Sequence, residues 1–297
     1  MNFKNTQLLT IYTYLQKELA SKAVVTIIVD NPDTIEDAIS LKSWIDVAQI
    51  LFARLGVPKV LESNSLELTF YKLNQNNSFH TQKIEQKEEK YGVSSPFFKL
   101  DKLKQASFLH YYLQALQAVQ IEQRRAILNL GINKGDEFAL IKDILPLKKF
   151  EAIKFIGIDH STTIIEYLKK RFATNSNMSF FAADINKLAL LGLPKSDLII
   201  SIGTLQSPGI NYKPFLMELV QEHLAPNGAL ILGFPNSRWI DGELIYGAKA
   251  PNYSYSEMSL VCSDIIFAKK YLQQKRFRVS VTGKDYLFIT ATKIAKI

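Results

Sequence analysis

Ile127-Leu-Asn129-Leu-Gly131-Ile-Asn133-Lys-Gly135-Asp136-Glu137 is followed by Phe155-Ile-Gly-Ile-Asp159 and then by Phe180-Phe-Ala-Ala-Asp184-Ile185. Each short apolar run reads as a buried parallel strand. The first leads through a glycine turn into a helix, and the second and third end on an acid. Strands alternating with helices build an open α/β sheet, and its ligands sit in the crevice outside the strands' carboxyl ends. A ligand with a polar tail, a ribose and a base would meet one group from each of three successive strands there. The stretch predicts a nucleotide-type pocket.

The order of parts continues downstream. Asp197-Leu-Ile-Ile-Ser201-Ile-Gly-Thr-Leu-Gln206 reads as a fourth strand and its loop, and Leu224-Ala-Pro226-Asn-Gly228 as a turn into a fifth strand. Phe277 to Val281 and Tyr286 to Thr290 read as two strands around a tight turn at Gly283.

From about residue 100 to residue 297 this order resembles the class I, Rossmann-like, S-adenosylmethionine-dependent methyltransferases. Their first motif is an acid, a gap and glycines at alternate positions, and Asn129, Gly131, Asn133 and Gly135 stand at those places. The resemblance implies a doubly wound, mostly parallel seven-stranded sheet that ends in an antiparallel hairpin. It implies S-adenosylmethionine as cofactor, with no metal. Gly131 and Gly135 would let the backbone approach the methionine part. Asp159 would accept from both ribose hydroxyls. Asp184 would take the adenine amino group, with Ile185 and His160 beside the base, and backbone near Ser201 would hold the methionine ammonium. Asp159 and Asp184 each have a plainer reading, as caps of the helices that follow them.

Asn129 departs from the family's acid. A neutral amide gives a hydrogen bond of about 1 kcal/mol where a charged one gives about 1.5–3. The difference is roughly tenfold in affinity. Asp136 or Glu137 offers a replacement charge, although an acid in a helix's first turn already has a structural reason. The rival dinucleotide fingerprint, G-x-G-x-x-G, fares worse, since its second and third glycines fall on Asn133 and Asp136.

Composition bounds the rest. The chain has 297 residues, is 47% apolar and carries a net charge of +8. It contains no apolar run near the roughly 18 residues of a membrane span. Its start reads as an amphipathic helix rather than a signal peptide. With Cys262 as the only cysteine, no intrachain disulfide can form. A cytoplasmic protein is expected. Residues 121–297 hold 23 basic and 16 acidic side chains, or +7, against 13 and 12 in residues 1–120. The excess gathers around Lys269-Lys270 and Lys275-Arg276-Phe-Arg278, and reads first as the solvated face of a helix and its exit.

Two domains are expected, residues 1–93 and 94–297. The first is a small α+β unit. It has a helix over residues 7–20, a strand from Ala23 to Val29, a helix from Thr34 to Leu55, a strand around Leu66, Leu68 and Phe70, and a polar linker from residue 74. The second opens with a helix carrying Leu103, Phe108, Tyr112 and Leu116, whose His110, Tyr111 and Tyr112 are candidates for a pocket lid.

Methyl transfer is an in-line displacement that depends mainly on positioning. Candidate acceptor-binding residues lie after the fifth strand. Arg238 suits a carboxylate or phosphate, and Asp241 or Tyr246 suits removal of a proton, with Tyr253 and Tyr255 following. The loop after strand four lacks the Asn/Asp-Pro-Pro-aromatic motif of base-amine methylating enzymes, which favours a small-molecule acceptor. RNA as substrate, with the amino-terminal unit helping to dock it, and a cofactor-binding or assembly protein without turnover are the alternatives; a homodimer is open in each case, and no membrane partner is expected.

Overall fold

The computed structural model describes residues 1–77, 91–247 and 258–294. The chain divides into two compact units, Met1–Gln82 with Arg238–Tyr246, and Lys83–Ser237 with Gly247–Ile297.

In the first unit, α1 (Leu8–Ser21) turns Ile11, Leu15 and Leu19 to one side, four residues apart. Strand β1 (Val24–Asp30) buries alternate residues Val25, Ile27 and Val29. Then come α2 (Leu41–Ile50), β2 (Ala53–Leu55), β3 (Lys59–Glu62) and β4 (Ser65–Lys72). β4 pairs antiparallel with β1, β2 and β3. Its Leu68 and Phe70 meet Leu15, Ile27 and Trp44 in one core.

Helix α2 is shorter than the sequence pattern suggests. Its start is set by Ser40, whose Oγ accepts from the Ser43 N–H at 3.2 Å. Upstream, Asn31 Oδ1 takes the Asp33 N–H at 3.1 Å and holds a separate turn there. Phe52, left-handed at φ 52°, stops the helix and turns the chain into β2.

The second unit contains α3 (Ala106–Ala118), β5 (Ala126–Leu130), α4 (Asp136–Ile144), α5 (Leu147–Glu151), β6 (Lys154–Asp159), α6 (Thr162–Arg171) and β7 (Met178–Ala182). It continues through β8 (Ser196–Ile202), α7 (Tyr212–Glu218) and β9 (Leu224–Pro235). The chain then makes β10 (Ser237–Ile240) and β11 (Glu243–Tyr246), a pair that lies, apart from Ser237, in the first unit. It returns with α8 (Ser259–Gln274), β12 (Phe277–Gly283) and β13 (Tyr286–Lys293).

The large sheet runs β12-β13-β9-β8-β5-β6-β7. β5 to β9 are mutually parallel, whereas β13 is antiparallel to both β9 and β12. This is the expected seven-stranded sheet with its terminal hairpin, and a hairpin stands where a dinucleotide fold would carry a second βαβαβ half. The next strand in sequence after β5 lies on one side of it and the later β8 on the other, so the topological switch point is at the carboxyl end of β5. In β9 the partner of Ser196 is Leu224, but the partner of Leu198 is Ala229. Residues 225–228 therefore bulge out as the predicted Pro-Asn-Gly turn, inside a longer strand.

Both sheet faces are covered. α3, α4 and α6 bury Phe108, Phe138 and Ile164 on one, and α7 and α8 bury Phe215 and Ile265 on the other. Tyr112 is core rather than lid, 0% exposed and stacked 6.1 Å from Phe288, while His110 is exposed. The Tyr112 hydroxyl has no hydrogen-bond partner among the described residues. A buried unsatisfied polar group costs about 1–3 kcal/mol. Tyr112→Phe is therefore expected to fold with equal or greater stability, read as an unchanged or higher urea midpoint. A clear fall in that midpoint would mean that the hydroxyl is bonded in solution.

Candidate functional site

The turn after β5 is made of alternate left-handed residues, Gly131 at φ 70°, Asn133 at 47° and Gly135 at 82°. Asn tolerates this region better than other side chains, so it can stand where the family has glycine. The turn is tied to β6, because Gly131 and Ile132 both donate their N–H groups to Ile158 O, at 2.8 and 3.1 Å. A Cβ at Gly131 would stand 2.0 Å from Thr204 Oγ1, so the loop after β8 fills the space over that glycine. A Cβ at Gly135 would meet Leu168 and Phe172 at 2.8 Å, where α4 closes against α6. The neighbours using both close approaches are side chains of this chain.

Asp159 ends β6 and is 5% exposed. Its Oδ2 accepts from the Asn133 N–H at 3.0 Å and its Oδ1 from the Ser161 N–H at 3.1 Å. Burial raises its pKa above the ordinary aspartate value, and these backbone hydrogen bonds oppose the shift. His160, exposed, places Nδ1 3.5 Å from Oδ1 and meets the Tyr91 ring edge-on at 6.4 Å. A carboxylate offers about four acceptor directions. The His160 N–H also lies against this carboxylate, and the directions left over are open to a ligand.

Asn129 is level with Gly157 of β6 and Ile200 of β8. It is 1% exposed, and its Nδ2 has no partner among the described residues. Ser201 is buried beside it, its Oγ donating to Leu130 O at 3.4 Å. One strand further out, Asp184 is exposed and its Oδ1 accepts from Asn186 N and Nδ2 at 2.9 and 3.0 Å. It caps the 3-10 turn Ile185–Leu191, with Ile185 in the core. The structure thus gathers Asn129, Gly131, Asn133, Gly135, Asp159, His160 and Ser201 around the ends of β5, β6 and β8, and places Asp184 and Ile185 after β7.

Residues 91–105 are site neighbours that the sequence pattern did not reveal. Asn133 Nδ2 donates to Tyr91 O at 3.2 Å, and the Val93 N–H donates to Thr163 Oγ1 at 3.3 Å. Lys134 Nζ donates to Leu100 O and Phe98 O. Lys102 Nζ pairs with Glu137 Oε1 at 3.0 Å, both side chains being at least 90% buried. Asp136 pairs with Arg171 at 3.0 Å and Lys134 at 3.7 Å. Both first-turn acids of α4 are therefore held by the protein's own cations. The sequence signal for this was two adjacent acids with basic residues at 102, 134 and 171 and no rule to pair them. Thr204 carried no signal.

Arg238, Asp241 and Tyr246 belong to the first unit. Asp241 sits left-handed at φ 50° before Gly242 at 82°, the turn between β10 and β11. Asn77 Nδ2 and the Asn74 N–H donate to its two oxygens at 3.0 and 3.1 Å, and together they hold its pKa below the ordinary value. A carboxylate held this way is a weak base and a good anchor. Arg238 is 8% exposed, stacks 5.4 Å over Phe52, and makes no ion pair or hydrogen bond among the described residues. Burial lowers its pKa. Tyr246 is 37% exposed. Tyr253 and Tyr255 lie outside the described residues.

No family model and no curated protein matches this sequence. Among solved structures the chain is similar to the N-methyltransferase NodS from Bradyrhizobium japonicum WM9, at 16% identity over 67% of this chain and 95% of that one, with a TM-score of 0.46. It is also similar to precorrin-6y C5,15-methyltransferase from Geobacter metallireducens GS-15, at 11% identity over 62% and 88%, with a TM-score of 0.42. A third is a SAM-dependent methyltransferase from Aquifex aeolicus, at 18% identity over 66% and 100%, with a TM-score of 0.43. By its own strand order, five parallel strands with the switch point at β5 and an antiparallel hairpin beyond β9, the second unit has the Rossmann-like class I methyltransferase fold.

Proposed function

We propose that this chain is an S-adenosylmethionine-dependent methyltransferase acting on a small, anionic molecule. The observation that supports this most is the meeting of the left-handed turn Gly131–Gly135 with buried Asp159 at the switch point of the sheet. Asp159 keeps acceptor capacity for ribose hydroxyls. The amide oxygen of buried Asn129 offers an acceptor to the methionine ammonium, and its Nδ2, without a partner among the described residues, is a polar group that a bound ligand would satisfy. His160 and Ile185 would flank the base, and backbone near Ser201 would take the ammonium. Bound there, the cofactor supplies an electrophilic methyl group on a sulfonium. The protein's part is alignment and exclusion of water.

The preference for an anionic acceptor rests on Arg238. Buried charges are ordinarily paired, so a buried guanidinium without a counter-charge among the described residues is suited to a carboxylate or phosphate. Of the two proton-acceptor candidates, Asp241 is already committed to Asn74 and Asn77.

Calorimetric titration with S-adenosylmethionine, its demethylated product and NAD tests the proposal. Micromolar binding of the two sulfur compounds and none of NAD is expected; no binding of either sulfur compound overturns it. Asn129→Asp should tighten S-adenosylmethionine roughly tenfold by charging the bond to the ammonium. An unchanged or weaker affinity would move the ammonium away from residue 129. One observation favours a second reading, a scaffold without turnover. Thr204 fills the space over Gly131 that a methionine tail would approach.

A further inference from the structure

A cavity of about 860 Å³ opens at the far end of the large sheet, by the amino end of β8 and the bulge at the amino end of β9, and it takes no part in the site described above. Its existence follows from where α3 stops. On the sheet face that α3 covers, Phe108 and Tyr112 pack on Phe288 of β13. The helix ends at Ala118, and Gln120, left-handed at φ 53°, turns the chain away. Beyond that point α3 no longer covers the same face, and the turn that follows it borders a cavity there. Side chains alternate along a strand and directly paired residues share a face. Thr290 and Thr292 therefore lie in line with Phe288, and their partners Ser280 and Arg278 lie beside them on β12. The face changes from aromatic to hydroxyl and guanidinium where the helix leaves it.

The electrostatics of this cavity favour an anion. Arg124 lines it, donating from Nε to Val119 O at 2.7 Å and from Nη1 to Asp197 O and Asn227 O at 3.1 and 3.3 Å. Asp197 is the only acid in the lining among the described residues, and its carboxylate already accepts from the Arg125 and Ala126 N–H groups at 2.8 and 3.0 Å. Arg278 has no ion pair or hydrogen bond through its side chain among the described residues, and neither has the hydroxyl of Thr290, a residue 5% exposed. Lys293, also at the cavity, turns its ammonium to the Phe277 ring and Lys275 O. The free polar groups are thus a guanidinium, a row of hydroxyls and the amides of Gln120 and Gln123.

We infer that this cavity binds a phosphorylated sugar. The volume suits a small molecule. Arg278 matches a phosphoryl group and the Ser280, Thr290 and Thr292 hydroxyls match those of a sugar. Among the described residues the lining holds no aromatic ring, and so no stacking platform of the kind on which nucleobases and single-stranded RNA are held. The inference is independent of the proposed methyl transfer.

Ribose 5-phosphate is the probe, titrated calorimetrically into the full chain, with ribose, inorganic phosphate and a short single-stranded RNA in parallel. Saturable binding of ribose 5-phosphate is expected, tighter than that of ribose or phosphate alone. Arg278→Ala, on an edge strand, should weaken it about tenfold or more, the loss of a charge-assisted hydrogen bond. Thr290→Val, of the same shape, should weaken it less, and both variants should keep the wild-type thermal transition. No saturable binding at millimolar probe overturns the inference, as does binding that neither variant changes. So does phosphate binding as tightly as the sugar phosphate. RNA binding that Arg278→Ala abolishes, with no sugar phosphate binding, would replace the cavity with a nucleic-acid surface.

Discussion

Replacing Asp159 with Ala is expected to weaken S-adenosylmethionine binding by at least about a hundredfold. Two hydrogen bonds from ribose hydroxyls to a carboxylate are each worth about 1.5–3 kcal/mol, and every 1.4 kcal/mol or so is a factor of ten. Ala also strips the acceptor from the Asn133 and Ser161 N–H groups, loosening the turn itself. Asp159→Asn is the control, since it keeps the shape and one acceptor oxygen, and a smaller loss, about tenfold, should follow. The same residue fixes a pH dependence. Burial raises its pKa, so on acidification it takes up a proton before ordinary aspartates do. Cofactor affinity of the wild type should therefore fall in mildly acidic buffer, and that of Asp159→Asn should not. The sign for stability is opposite. The folded state holds this proton more tightly than the unfolded chain, so the contribution of Asp159 to stability declines as pH rises through that window. Calorimetry across the pH series checks both variants, and wild-type affinity in Asp159→Ala would place the ribose elsewhere.

The largest effect on folding is expected at Lys102. Its ammonium lies 3.0 Å from Glu137 Oε1, with side-chain exposures of 10% and 3%. Lys102→Met should lower the unfolding free energy by about 3–5 kcal/mol, because it leaves Glu137 buried and unpaired. Glu137 Oε2 already lacks a hydrogen-bond partner among the described residues, so nothing stands ready to replace the ammonium. Changing both residues together, Lys102→Met with Glu137→Leu, should recover much of the loss. Burial alone would lower the Lys102 pKa, but the charge and hydrogen bond of Glu137, with Tyr286 and Asp136, raise it overall. A raised lysine pKa stabilises fully below the unfolded value, and that contribution is lost as pH climbs through the folded one. Urea denaturation at increasing alkaline pH should show this decline in the wild type and not in the double variant. A single variant as stable as the double one would show that the pair is not buried in solution.

The large sheet was legible because its strands are buried on both faces, which leaves continuous apolar runs such as Ile127–Leu130 and Leu198–Ile200. The acids at strand ends were legible for the same reason, since a carboxylate closing such a run stands out. Their local duties were not. Asp184 caps the turn after it, a role the sequence offers equally with ligand contact. The boundaries of α2 were obscured because Ser40 and Phe52 act through backbone geometry, while the apolar spacing runs on past both of them. Least legible of all was the hairpin around Asp241. Its polar and aromatic composition reads as an acceptor loop, and nothing in it announces that it belongs to the first unit, held there by bonds to Asn74 and Asn77 more than 160 residues away. No periodicity encodes a contact at that separation.

That separation sets a timetable for synthesis. Leu73 and Phe52 reach the ribosome exit early, but Ile240 and Ile245, which close their apolar cluster, follow much later. At roughly 5–20 residues per second, the interval is on the order of ten to thirty seconds. Throughout it the nascent amino-terminal segment presents an uncovered greasy patch to chaperones and to neighbouring chains. A gene fragment cut at the linker would hold the protein in that state for good, and should yield aggregates where the full reading frame yields a folded product.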